Sequence, residues 1–167
     1  MIIFLIILGI DPGTATTGYG FIKILSSKNK GVKTIKCVDY GLIKTSPNSS
    51  MPERLKKLNN ELNSLIKKYR PEILAVERVY FFKNLKTALP VSQAKGVILL
   101  TAAKKNIPVY EFTPMEIKKN IVNYGWAEKR VVQKKIKNLL GLKNNSITDD
   151  AADALATAIC CARLLKN

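Results

Sequence analysis

The sequence predicts an α/β fold: a five-stranded mixed sheet, its first three strands antiparallel, with helices on both faces. Three observations predict it. Apolar runs joined by short turns come first, at 4–11, 18–27 and 32–45; helix and strand patterns then alternate; and three helical stretches finish the chain. At 167 residues the chain has the length of one domain, spanning 1–167, with a substantial core. No linker, internal repeat or low-complexity segment divides it.

The first run, FLIILGID (4–11), is apolar enough to be buried, yet it ends on Asp11-Pro12-Gly13. This N-terminal stretch lacks the positive region and cleavage site of a signal peptide, and it is well short of the ~20 residues of a membrane span. A buried strand in a cytoplasmic protein, with no membrane association, is expected. GYGFIKILSS (18–27) and VKTIKCVDYGLIKT (32–45) are the next strands, joined by KNKG, which suits a hairpin. After a loop at 46–52, Leu55, Leu58, Leu62, Leu65, Ile66 and Tyr69 recur at helical spacing until Arg70-Pro71 stops the helix. EILAVERV (72–79) is a fourth strand and carries a second acid, Glu77. A helix rich in small residues covers 85–105, with Pro90 near its start; IPVYEF (107–112) is the fifth strand; helices cover 114–123, 128–140 and 149–165.

Lys and Arg outnumber Asp and Glu by 28 to 12, a net charge of +16, so a polyanion is the expected partner and nucleic acid the first candidate. There is no histidine. That excludes Ser-His-Asp and Cys-His chemistry, imidazole-ligated zinc and a histidine general base. Cys37, Cys160 and Cys161 form no C-x-x-C pair and read as buried thiols in a reducing compartment. Any catalysis falls to carboxylates or lysines.

In open α/β sheets, ligands sit beyond the carboxyl ends of neighbouring parallel strands. Asp11 ends the first strand and Glu77 the fourth, and if those two strands are neighbours the two side chains face each other. In TDDAADALATAICCA, Asp150 and Asp153 are three apart on the first turn of the last helix, and small residues at 151, 152 and 154 let that turn lie against the sheet. Each acid has a local explanation: turn chemistry for Asp11, the helix dipole for Asp150. Glu77 after ILAV needs a partner, because burying an unpaired charge is costly. Gathered together, four carboxylates would repel one another unless hard cations such as Mg²⁺ neutralised them. Two such ions can activate a water and stabilise the leaving oxygen of a phosphodiester. An acidic pit on a basic protein suits metal-dependent cleavage of nucleic acid.

LGIDPGTATTGYGFI (8–22), AVERVYFFKN (75–84), SQAKGVILLTAA (92–103), YGWAEKRVVQ (124–133) and DDAADALATA (149–158) resemble, in collinear order over nearly the whole chain, the RuvC-type Holliday-junction endonucleases. The resemblance implies a ribonuclease-H-like fold. It also implies a homodimer that nicks two opposed strands of a four-way DNA junction in recombination and repair. The cofactor it implies is Mg²⁺, two ions per subunit, with Mn²⁺ as a substitute, and it implies a branch-migration motor as partner. The family's catalytic, metal-holding carboxylates fall on Asp11, Glu77, Asp150 and Asp153. Position 149 need not be acidic in the family, although the spacing of Asp149 to Asp153 would also suit a ligand, and Asp150 stands where some relatives carry His. Tyr80 falls where the family suggests an aromatic that stacks or wedges at the crossover; Phe81 and Phe82 fit packing under a loop equally well. Lys118 and Lys129 match lysines near the scissile phosphate. The small-residue helix at 85–105 is a candidate dimer interface, though it could equally pack on the sheet. Two other readings stay open. An ATP-dependent phosphotransferase shares an Asp and Gly-Thr after a strand but needs two such domains. A junction-binding protein without activity would be expected to have lost a carboxylate, and none is missing.

Overall fold

The computed structural model describes residues 2–27, 33–78, 85–142 and 147–165. The KNKG turn and Tyr80, Phe81 and Phe82 lie outside the described residues. In chain order the elements are β1 (Ile2–Asp11), β2 (Thr16–Ser27), β3 (Lys33–Lys44), α1 (Met51–Tyr69), β4 (Ile73–Glu77), α2 (Leu85–Lys104), β5 (Val109–Phe112), α3 (Pro114–Val122), α4 (Lys129–Leu140) and α5 (Asp149–Leu164). The sheet order is β3-β2-β1-β4-β5. β1 pairs antiparallel with β2 and parallel with β4, β2 pairs antiparallel with β3, and β4 pairs parallel with β5. The expected mixed sheet is present.

Boundaries differ from the sequence expectation where neighbours act. β2 begins at Thr16 rather than residue 18, because Thr16 and Thr17 still pair with Lys44 and Ile43 of β3 after β1 has ended. α1 begins at Met51, inside the expected loop. There the Glu53 carboxylate accepts from the Ser50 backbone N–H at 2.8 Å, and Pro52 occupies the first turn, where its missing N–H costs nothing. Pro90 lies inside α2 and near its start, as expected.

Strand alternation sorts the core into two faces. Ile7 of β1 and Ile73 and Ala75 of β4 face one way, onto α3, α4 and α5. Leu8 and Ile10 of β1 and Leu74 and Val76 of β4 face the other, onto Leu58, Leu62 and Ile66 of α1 and Ala94, Ile98 and Ala102 of α2. The small-residue helix therefore packs in the core by one side while keeping another exposed. α5 is buried along nearly its whole length, and burial pushes the Cys160 and Cys161 thiols up to about 12, as inert interior groups. No described helix is long and apolar enough to cross a membrane.

Candidate active site

Asp11 is two residues beyond Gly9 and four beyond Ile7, so its side chain falls on the α5 face of the sheet. Glu77 has the same parity with Ile73 and Ala75. Ile10 is opposite Val76 in the parallel β1–β4 register, which sets Asp11 and Glu77 side by side at the carboxyl ends of neighbouring strands. α5 completes the arrangement. A methyl group on Gly18, the cross-strand partner of Asp11, would overlap the Asp150 backbone carbonyl, and one on Gly9 would come within 2.9 Å of the Ala158 side chain. Bare backbone at these two points lets the helix rest directly on the sheet, with Asp150 and Asp153 beside Asp11. Sequence reasoning identified the small residues of the helix but missed the glycines that receive it.

The electrostatics follow from this crowding. Burial, then repulsion from Glu77, Asp153 and Asp150, pushes the Asp11 carboxyl up to about 8. Burial and then the charge of Asp153 raise Glu77 to about 7, against the pull of Lys129 and Lys118. Asp153 is raised chiefly by burial, although Lys129 opposes the shift. Lys129, the first residue of α4, holds its Nζ 2.7 Å from Asp153 Oδ2 and 3.7 Å from Asp149 Oδ2. Burial disfavours its charge, but the hydrogen bond to Asp153 and the surrounding acids raise its pKa.

A cleft of about 140 Å³ is lined by Glu77, Lys118, Lys129 and Asp153, with Pro114, Ile117, Val132 and Ala156 as apolar walls. Lys118 is positioned by α3, whose start is fixed by a reciprocal cap: Thr113 Oγ1 accepts from the Glu116 N–H at 3.1 Å, and Glu116 Oε2 accepts from the Thr113 N–H at 2.7 Å. Larger hollows, one of about 550 Å³ beside Asn63, Arg70 and Lys105 and one of about 670 Å³ beside Glu116 and Arg163, gather no carboxylate cluster. The structure thus brings together six of the seven sequence-predicted site residues: Asp11, Glu77, Asp150, Asp153, Lys118 and Lys129. The seventh, Tyr80, lies outside the described residues.

The donor set is all oxygen and short of positive charge, which suits a hard divalent cation. As the side chains stand, no three acidic, cysteine or histidine groups among the described residues are close enough to cage an ion. The Lys129 ammonium sits among the acids and supplies part of the missing charge.

The family model "Crossover junction endodeoxyribonuclease RuvC" matches residues 7–161. A protein of that name from Petrotoga mobilis is 47% identical over 156 residues, covering 93% of this chain and 92% of its own. One from Syntrophomonas wolfei is 47% identical over 154 residues, covering 92% of this chain and 86% of its own. The structure of Thermus thermophilus RuvC in complex with a Holliday junction superposes with a TM-score of 0.86 at 30% identity, over 97% of this chain and 95% of that one. The fold is therefore the ribonuclease-H-like one that the sequence resemblance implied, and the match runs from β1 through the last helix. The chain belongs to the crossover junction endodeoxyribonuclease RuvC family.

Proposed function

We propose that this chain resolves four-way DNA junctions by nicking two opposed strands, with divalent cations held by Asp11, Glu77, Asp150 and Asp153. The observation that carries the reading is the convergence of four carboxylates, from two adjacent strand ends and one helix, on a protein of net charge +16. Bound there, two Mg²⁺ ions, or Mn²⁺ in their place, would activate water and stabilise the leaving oxygen. The chain's own part is to hold the acids together at the sheet edge, with a shortage of positive charge that a divalent cation would make up. Lys129 exchanges its contact with Asp153 for the phosphate, and Lys118, which lines the same cleft, holds the same group as charge develops in the transition state. The apolar walls of Ile117, Val132 and Ala156 keep the local dielectric low, which strengthens both interactions.

Symmetric cutting requires two copies. The exposed side of α2 carries Leu89 and Leu100, 63% and 55% exposed, and Gly96, where an added side chain would meet nothing within 4 Å. Nothing within one copy requires glycine there, and close approach of a second α2 would. This supports a homodimer through α2. Partnership with a branch-migration motor belongs to the same proposal. A nicking assay on a synthetic four-way junction, with and without Mg²⁺, tests the function. Paired nicks in opposed strands only with the cation are expected, and no cleavage under any divalent cation refutes it. ATP turnover without junction cleavage would favour the phosphotransferase reading instead.

A further inference from the structure

Trp126 is the only tryptophan in the chain and is 74% exposed, and Tyr124 beside it is 60% exposed. Scattered apolar side chains on a surface need no explanation, but here two exposed aromatic rings stand within three residues, and Trp126 lines a hollow with Met115, itself 48% exposed. They lie on the turn between α3 and α4, which is built tightly: Asn123 ends α3 in a left-handed conformation, Tyr124 accepts a hydrogen bond from the Ala127 N–H, and Gly125 packs against Met115. The turn is the link between Lys118 and Lys129.

A second hollow, of about 240 Å³, is lined by Thr113, Pro114, Met115, Lys118, Gly125 and Trp126. Pro114 and Lys118 also line the cleft that holds Glu77, Lys129 and Asp153. The two concavities share a wall, and that wall carries a cation. A strand whose phosphate lies against Lys118 in the cleft would lay its neighbouring nucleotide over the second hollow. An exposed indole beside a lysine is the chemistry that holds single-stranded or unstacked nucleotides: the ring stacks on a base face while the ammonium pairs with the backbone.

We infer that Trp126, supported by Tyr124, is a stacking platform for a nucleotide flanking the scissile phosphate, and so a positioning residue for strand cleavage. The inference rests on the junction-cleavage reading above and adds a contact which that reading does not need.

Because no other tryptophan is present, indole fluorescence reports this residue alone. The full chain carrying Asp11→Asn is titrated with a four-way junction bearing a fluorescent dye. Binding is followed by anisotropy and Trp126 emission is recorded in parallel. Strong quenching that saturates with the anisotropy is expected. Replacing Trp126 by Ala should weaken junction binding roughly 5- to 150-fold, and Trp126→Phe should restore most of the loss. Trp126 is exposed, so neither change threatens the fold. Saturating anisotropy with unchanged emission, and equal affinity in Trp126→Ala, overturns the platform while leaving junction cleavage standing. A Trp126→Ala loss that phenylalanine does not restore overturns stacking as the cause. If the wild-type chain neither binds nor cuts the junction, the parent reading falls and the platform falls with it.

Discussion

Replacing Asp11 by Asn should make the metal-free protein more stable, although the same change should abolish cleavage. The carboxyl ionises near 3.8 in the unfolded chain and near 8 in the fold. Folding therefore takes up a proton at intermediate pH, and the contribution runs against stability as pH rises. It is absent below the unfolded value, grows through the interval, and is complete above about 8. At pH 7.5 the full displacement corresponds to about 5 kcal/mol, which solvent and salt screening reduce to about 2–3 kcal/mol. Asn keeps the shape without the charge. Thermal melts in a chelator at pH 7.5 should place Asp11→Asn about 5–10 °C above wild type. At pH 5 roughly a third of that advantage should remain. Adding Mg²⁺ at pH 7.5 should raise the wild-type midpoint and leave the variant nearly unmoved. A variant that melts below wild type in chelator, a gap that does not change with pH, or equal Mg²⁺ stabilisation of both proteins would refute the picture of a mutually repelling cluster awaiting a cation.

Gly18→Ala should push α5 off the sheet at Asp150, costing about 1–3 kcal/mol in a melt and lowering cleavage far more than junction affinity. Equal stability and activity would show that the helix does not rest on that glycine. Lys129→Gln removes the one cation within ion-pairing distance of Asp153 among the described residues; it should cut cleavage by at least about 100-fold and lower the metal-free midpoint more at pH 8 than at pH 5. Unaltered single-turnover cleavage would remove Lys129 from the mechanism. Leu100→Asp should yield a folded monomer by light scattering with single, unpaired nicks, whereas a surviving dimer would place the interface elsewhere.

Element order and strand direction were legible because apolar alternation and turn chemistry are local, and because parallel neighbours need a helical crossover. The carboxylates were legible for a different reason: an acid at the end of an apolar strand, such as Glu77 after ILAV, is costly without a role. Lys118 and Lys129 were not separable from the other lysines by composition, since each lies on an ordinary helix and only the packing of α3 and α4 against α5 brings them to the cleft. Gly9 and Gly18 escaped for a related reason. A glycine in a strand reads as a weak point until the helix that needs its bare backbone is in place. Trp126 and Tyr124 sat in plain view within a motif, yet exposure is a property of the fold and no spacing rule reports it. Strand ends and edges were the least legible feature. Thr16 and Thr17 belong to β2 only through pairing with Lys44 and Ile43 at the far end of β3, well beyond the reach of any local pattern.

The charge arrangement has a thermodynamic consequence for the proposed reaction. A phosphate entering the cleft as it stands would meet Glu77 and Asp153 together with Lys118 and Lys129, so anion and acids compete for the same two ammonium groups. A divalent cation entering alone meets the protonated fractions of Asp11 and Glu77 and must displace those protons and the Lys129 contact. Each ligand supplies the charge that the other lacks. Whatever free energy the junction phosphate gains from a bound cation, the cation must gain equally from the bound junction, because the two binding steps close a thermodynamic cycle. Metal affinity measured on the free protein would then understate the affinity at the moment of cutting, and the basic surface that gathers DNA would also load the acidic pit.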